Sequence, residues 1–330
     1  MKLARWAGAS DPGRRRRRNE DSYVIQPPLF AVADGMGGAQ AGEVASRLAA
    51  AAVKDGAGDV EGLIQEANRR VHQRSVEDPN ASGMGTTLTV ASVEDGTVLI
   101  GHVGDSRAYL VRDGGLEQLT EDHSLVGELM RSGKLSAEEA EQHPQRSMIT
   151  RALGTDPNVD VDLFPVDPQP GDLFLLCSDG LTTMVDDREI LQLVEEKRDD
   201  LQALVKALIK AANKGGGEDN ITVVAFEMAD GDEASDEPGD TEQTAVLRDD
   251  PQLDEEDTLT EADEVPVVGN LPAADDTGVV RVDEIAAAYE REQAALPPRR
   301  GRRLRRFLSF LLAIVVLIAI AFVVLWALTR

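Results

Sequence analysis

The sequence predicts an α+β fold, antiparallel sheet covered by helices, followed by a disordered linker and one C-terminal membrane-spanning helix. Three observations carry that prediction. Up to about Met228, many short apolar runs bounded by turn residues accompany a few long stretches of helical period, and the two kinds do not alternate one by one. From Ala229 to Pro298 the composition shifts to Asp, Glu, Thr, Pro and Gly. From Phe307 to Leu328 the chain is apolar and uncharged.

In residues 1–228, strands are expected near 3–10, 22–33, 86–93, 97–104, 106–112, 159–166, 172–177 and 221–227. Leu29-Phe-Ala-Val-Ala33, Ile100-Gly-His-Val-Gly104, Leu173-Phe-Leu-Leu-Cys177 and Ile221-Thr-Val-Val224 are their most apolar parts. Long helices are expected near 40–54, where alanines recur over 45–53, near 59–77 and near 199–213. Residues 124–150 interrupt the strand pattern with Leu125, Leu129, Met130 and Leu135 on a charged background, which reads as short helices inserted as a flap.

The acidic segment 229–298 has too few large apolar residues to offset the entropy of ordering it. As a flexible coil it would span roughly 45–50 Å, and self-repulsion would lengthen it. Segment 299–306 reads Arg-Arg-Gly-Arg-Arg-Leu-Arg-Arg, and the run 307–328 would reach about 33 Å as a helix, enough to cross a bilayer core. The arginines place that flank in the cytoplasm, so only Thr329 and Arg330 need cross. The first twenty residues hold no apolar stretch fit for a signal peptide, so the expected location is the cell membrane, single-pass, with the domain cytoplasmic. In the linker, Thr241, Thr244, Thr258, Thr260 and Thr277 lie among acids and read either as kinase sites for a phosphothreonine-binding domain or as plain solvated linker.

A formal net charge of -26 argues against general nucleic-acid binding. The single cysteine, Cys177, excludes an internal disulfide framework and a multi-cysteine zinc site, and its apolar neighbours mark it as core. His102 lies inside an apolar strand and reads as packing.

The chemistry is carried by acids placed beside apolar strands: Glu20 and Asp21, Asp34, Asp105, Asp179 and Asp219. Alone, each reads as a turn or a cap. If they converge, two carboxylates about 4 Å apart repel by about 4 kcal/mol at an effective dielectric of ~20, so the cluster calls for cations. Oxygen ligands without clustered His or Cys point to Mn²⁺ or Mg²⁺, and Gly35, following Asp34, would let its carbonyl approach a metal.

Eight motifs occur in order: Asp11-Pro-Gly-Arg-Arg-Arg-Arg-Arg-Asn-Glu-Asp21, Asp34-Gly-Met-Gly-Gly38, Gly85-Thr-Thr87, Gly104-Asp-Ser-Arg107, Asp122-His-Ser124, Arg151-Ala-Leu-Gly154, Ser178-Asp-Gly-Leu181 and Glu218-Asp-Asn-Ile-Thr222. In these the chain resembles the PPM (type 2C) metal-dependent serine/threonine protein phosphatases over nearly all of residues 1–228. The resemblance implies an α-β-β-α sandwich with a two-metal centre in a cleft at one end of the sheets. It implies that Asp34 bridges both metals, that Gly35 donates its carbonyl to one, and that Asp179 and Asp219 hold the other. Glu20 and Asp21 match the acidic pair that orders metal-bound water, Asp105 a ligand of a weaker third metal. Counting back from Asn19-Glu-Asp selects Arg16 as the arginine that grips the substrate phosphate, the run Arg14 to Arg18 leaving that register open by one or two. His123 is expected to shape the flap.

Two positions depart from the family: Met36 stands where many members carry a histidine, and Thr183 where many carry a third-metal aspartate. The implied activity is hydrolysis of phosphoserine and phosphothreonine on proteins by a metal-activated water, without a phosphoenzyme, opposing a bacterial serine/threonine kinase. A weakly active pseudophosphatase that tethers phosphorylated partners to the membrane is opposed by the presence of all the two-metal ligands, whereas a module specialised for an anti-sigma-factor antagonist or a small molecule stays open on sequence grounds.

Overall fold

The computed structural model describes residues 1–37, 41–136, 139–140 and 143–230. They belong to the first of two units, Met1–Val279; the second, Val280–Arg330, lies outside the described residues. The expected linker beyond residue 230, its threonines, the arginine-rich 299–306 and the apolar run 307–328 also lie outside them. Among the described residues no helix is long and apolar enough to cross a membrane.

The strands are β1 Lys2–Asp11, β2 Asp21–Gln26, β3 Leu29–Met36, β4 Gly85–Thr86, β5 Leu88–Glu94, β6 Thr97–Val103, β7 Arg107–Arg112, β8 Gly115–Gln118, β9 Asp162–Val166, β10 Leu173–Cys177 and β11 Ile221–Ala229. The helices are α1 Ala41–Asp55, α2 Val60–Glu77, α3 Leu125–Arg131, α4 Asp179–Thr182, α5 Asp187–Lys197 and α6 Leu201–Gly215. One sheet runs β1-β11-β10-β7-β8; the other runs β2-β3-β5-β6-β9, with β4 paired to β3. Every pairing is antiparallel.

Period-two alternation explains the layers. Phe174 and Leu176 of β10, Val224, Phe226 and Met228 of β11, and Phe30 and Val32 of β3 share a core between the sheets. Their alternates point outward. Leu173, Leu175, Cys177, Val223 and Ala225 pack under α5 and α6, while Ala31 and Ala33 pack under α1 and α2. Two helical faces thus cover two sheets, an α-β-β-α order. In the central layer Phe226 stacks on Phe30 and Phe174 with ring centroids 4.3 and 5.0 Å apart.

The helices start where side chains satisfy orphan amides. Asp59 accepts from the Gly62 amide, Ser124 from Gly127 and Asp200 from Ala203. The alanine-rich face of α1 buries Ala45, Ala49 and Ala52 completely, which lets α1 lie close to β3.

The sequence-based strand 22–33 is corrected to a hairpin. Pro27 and Pro28 have no amide hydrogen to give a ladder, so the chain reverses there and Gln26 pairs with Leu29. Strand 159–166 begins only at Asp162. Helix α5 was not expected, since only Ile190 and Val194 of its apolar residues are buried on a charged background. Cys177 is fully buried in β10, and burial pushes its thiol up to about 12, far from a reactive thiolate.

Candidate active site

Asp21 opens β2 and Asp34 lies near the end of β3, directly opposite each other in the ladder. From the other sheet, Asp179 begins α4 right after β10, and Asp219 precedes β11. Asp105 sits in the turn between β6 and β7 and is only 8% exposed. These aspartates come from both sheets close enough for the charges of Asp21, Asp179, Asp219 and Asp105 to act on Asp34.

Two hydroxyls join the sheets at this point. Ser178 Oγ and Thr222 Oγ1 donate to Asp21 Oδ2 at 2.8 and 2.6 Å. Asp34 is held through its backbone: its amide donates to Thr87 Oγ1 at 2.9 Å, and its carbonyl accepts from the Thr87 amide and Thr86 Oγ1 at 2.9 and 2.8 Å. With the backbone tied, the Asp34 carboxyl is free to point into the cluster. Gly35 is held as tightly, its amide donating to the Glu20 carbonyl at 3.2 Å. A Cβ on Gly35 would lie 2.0 Å from the Gly42 carbonyl oxygen, so no other residue fits where α1 meets β3.

The electrostatics follow from placing acids together below the surface. Burial raises the Asp34 carboxyl well above the usual range, and the charges of Asp21, Asp179, Asp219 and Asp105 raise it further. Burial also raises Asp21 to about 7, against the pull of the Thr222 and Ser178 hydrogen bonds. Asp179 is raised to about 6 by burial and then by Asp219, with a hydrogen bond to Asp34 acting the other way. Asp105 is raised by burial, then by Asp179 and Asp122. Glu20 is raised by burial and lowered in part by Arg16.

This arrangement fits hard divalent cations. The donors are oxygens, and the buried Oδ1 atoms of Asp21 and Asp179 have no hydrogen-bond partner. Such orphaned carboxylate oxygens are costly unless a cation meets them. Among the described residues no group of three or more His, Cys, Asp or Glu side chains is arranged so that it could hold a metal ion as it stands. Two carboxylates face protein partners instead: Asp21 faces its two hydroxyls, and Asp219 Oδ2 accepts from Arg16 Nη2 at 2.8 Å.

That last contact separates the arginines. Of Arg14 to Arg18, Arg16 is the one paired with the carboxylate cluster, whereas Arg14 Nε donates to the Asn213 carbonyl at 2.8 Å. The loop that carries them starts at Gly13, whose φ of +78 and whose 2.1 Å Cβ approach to the Asp219 carbonyl both require glycine. Asn220 closes it. Its Nδ2 donates to the Pro12 and Arg18 carbonyls at 2.9 and 2.8 Å, and its Oδ1 accepts from the Glu20 amide at 2.8 Å. Sequence reasoning assigned no role to Asn220, Ser178, Thr87 or Thr222; their one signal was adjacency to the acids or membership of the same motifs.

His123 fixes the turn of Asp105 rather than joining the cluster. Its Nδ1 accepts from the Gly104 amide at 3.0 Å, its own amide donates to the Gly104 carbonyl at 2.8 Å, and Nε2 lies 3.0 Å from Asp162 Oδ2. Since Nδ1 accepts, Nε2 carries the proton and donates to Asp162. Its chain neighbour Asp122 takes two bonds from Arg107, at 2.9 and 2.7 Å. His102 is fully buried and held between Thr89 Oγ1 and the Glu121 carbonyl, and burial lowers it to about 3, so it stays neutral.

Comparison with known proteins converges on one family. A family model described as protein phosphatase 2C matches residues 17–222. The chain is 42% identical over 236 residues to a serine/threonine phosphatase, stp, of Listeria monocytogenes, covering 66% of this chain and 93% of that protein. It is 40% identical over 260 residues to the serine/threonine protein phosphatase PstP of Mycobacterium tuberculosis, covering 76% of this chain and 50% of PstP. Among solved structures, the M. tuberculosis phosphatase PstP/Ppp superposes with a TM-score of 0.66 at 39% identity, over 69% of this chain and all of that one. The catalytic domain of a phosphatase PstP in complex with two manganese ions gives 0.64 at 38% identity, over 69% of this chain and 99% of that one.

Proposed function

The chain belongs to the protein phosphatase 2C family, and from that premise we propose which residues do its work and where it does it. It is a metal-dependent serine/threonine protein phosphatase. The observation that carries the residue assignment is the meeting of Asp21, Asp34, Asp179 and Asp219 from two sheets, with two buried carboxylate oxygens left unpartnered.

Asp34, Asp179, Asp219 and the Gly35 carbonyl would hold two Mn²⁺ or Mg²⁺ ions, with Glu20 and Asp21 bordering them and Asp105 serving a weaker third ion. When bound, such ions bring the pKa of water toward neutrality and offset negative charge on a reacting phosphate. The protein supplies placement. Ser178 and Thr222 hold the Asp21 carboxylate in one orientation, and Thr86 and Thr87 hold Asp34. Arg16 binds the phosphate oxygens of the substrate, which a guanidinium fork does in pairs, by exchanging its Asp219 contact for the substrate. Asn220 fixes both the loop of Arg16 and the amide of Glu20, so clamp and ion site keep a constant separation.

We assign the location to the cell membrane: the arginine-rich 299–306 and the uncharged apolar 307–328 support a single anchor, with the domain on the cytoplasmic side. The substrates would be phosphorylated cytoplasmic or membrane proteins, the targets of a serine/threonine kinase of the same cell.

The full chain with Mn²⁺ should release phosphate from a phosphothreonine peptide. EDTA and Asp34→Asn should each remove that release; comparable release in all three conditions would refute the metal-site assignment. Removing residues 299–330 should move the protein from the membrane to the soluble fraction, and retention on the membrane would remove the anchor.

A further inference from the structure

Arg14 to Arg18 are five consecutive cations in a chain of net charge -26. Adjacent like charges repel, and a free loop would relax by spreading them. This loop is pinned instead. Asn220 Nδ2 holds the carbonyls of Pro12 and Arg18, close to its two ends, and the amides of Arg14 and Arg15 both donate to the Gly217 carbonyl, at 2.8 and 3.1 Å. Asn220 is 3% exposed, so these anchors are shielded from water.

Two of the five side chains have partners within the fold, Arg14 at Asn213 and Arg16 at Asp219. Arg15, Arg17 and Arg18 are exposed, and among the described residues their side chains make no ion pair or hydrogen bond. Arg18 nevertheless stands close enough to the acids for its charge to act on Glu20. Three unpaired guanidinium groups are therefore exposed on a loop whose backbone is held, next in the chain to the arginine that meets Asp219.

We propose that Arg15, Arg17 and Arg18 form an anionic subsite that selects phosphoprotein segments carrying aspartate or glutamate near the phosphorylated residue. The inference rests on Arg16 as the phosphate clamp. Consecutive Cα atoms are about 3.8 Å apart, so Arg15 and Arg17 lie within about 4 Å of Arg16 along the chain and Arg18 within about 8 Å. An extended substrate advances about 3.3 Å per residue, which brings acidic side chains within about three residues of the phosphate into reach. Separated guanidinium groups suit dispersed carboxylates, and their place beside Arg16 in the chain brings them near any segment whose phosphate Arg16 holds.

The test uses the full chain with Mn²⁺ and two phosphothreonine peptides that differ only in carrying Glu or Gln at the three positions on each side. The expected kcat/KM ratio favours the Glu peptide by about three- to tenfold at low salt, each exposed pair being worth a factor of about 1.4–5. The ratio should fall toward one in about 0.5 M salt. It should also fall toward one in Arg15→Gln/Arg17→Gln/Arg18→Gln and persist in the corresponding lysine triple. Because the ratio is measured within one preparation, a partly unfolded variant still reports it, and the salt series needs no variant.

An active wild-type chain with a ratio of one at low salt overturns the inference while leaving the phosphatase assignment intact. Loss of both peptides alike in wild type would strike the phosphatase assignment itself. Arg16→Gln should weaken both peptides equally; if it does not, the clamp is misassigned and the subsite placed around it falls too. A glutamine triple that keeps the ratio but binds phosphatidylglycerol vesicles more weakly would assign the arginines to a lipid surface and overturn the proposal.

Discussion

Asn220 uses both hydrogens of its amide and its carbonyl oxygen to hold three backbone points of one segment, at Pro12, Arg18 and Glu20. Truncating it leaves two carbonyls and one amide, all part-buried, without partners, each costing at most about 1–3 kcal/mol. Asn220→Ala is therefore expected to lower stability by about 2–3 kcal/mol in urea unfolding. Its effect on catalysis should be specific: KM for a phosphopeptide should rise about tenfold, since a clamp displaced by an ångström loses binding before chemistry. The Mn²⁺ concentration for half activation should move much less. Equal changes in both would assign Asn220 to the metal site instead. The acids around it were legible in the sequence because carboxylates beside Gly and apolar runs stand out. Asn220 was not, because its neighbours at 12, 18 and 20 are about two hundred residues away.

At the scale of elements, β10 and β11 carry both the chemistry and the core. Their odd and even residues serve different layers: Cys177 and Val223 face the helices, Phe174 and Phe226 the other sheet. Phe226 is the middle ring of three and is fully buried. Phe226→Ala should destabilise the fold by about 3–5 kcal/mol, read as a lower urea midpoint with little change in slope. A loss below about 1 kcal/mol would mean the two sheets close over the gap. Apolar runs made these strands readable, but not the break at Pro27 and Pro28 within 22–33, since flanking residues of the right character hid a turn. Helix α5 escaped because amphipathic helices at an edge bury few residues.

For the whole domain, assembling the site places mutually repelling acids at the junction of the two sheets. Without cations, Asp21 and Asp179 are raised by burial to about 7 and about 6. The sign is set by proton uptake. A carboxyl with a folded pKa above its unfolded value of about 4 binds more protons in the folded state between those values, so the metal-free fold loses stability as pH rises from about 4 to about 7. Cations remove that loss. The gap in Tm between Mn²⁺-loaded and EDTA-treated protein should therefore widen over this range, by about 2–4 °C for each kcal/mol. A single raised carboxyl contributes about 1.4 kcal/mol per pH unit in its window. The neutral His102 works in the opposite direction, losing stability as pH falls below about 6.5, but it acts in both forms and cancels in the gap. A gap independent of pH would show that these carboxyls do not share their site with the metal.

Local chemistry is written in the sequence: the α+β class, the acids, the glycine after Asp34, the arginine run and the family follow from residue type and order, because period, turn chemistry and motif are properties of neighbours along the chain. The tertiary structure decided which acids face one another, that Arg16 rather than another of the five meets Asp219, that His123 serves the turn of Asp105, and that Asn220 joins the clamp to the acid pair. Each of those is a contact between strands or loops distant in sequence, fixed by how two sheets stack over a shared core. No spacing along the chain encodes that register by itself.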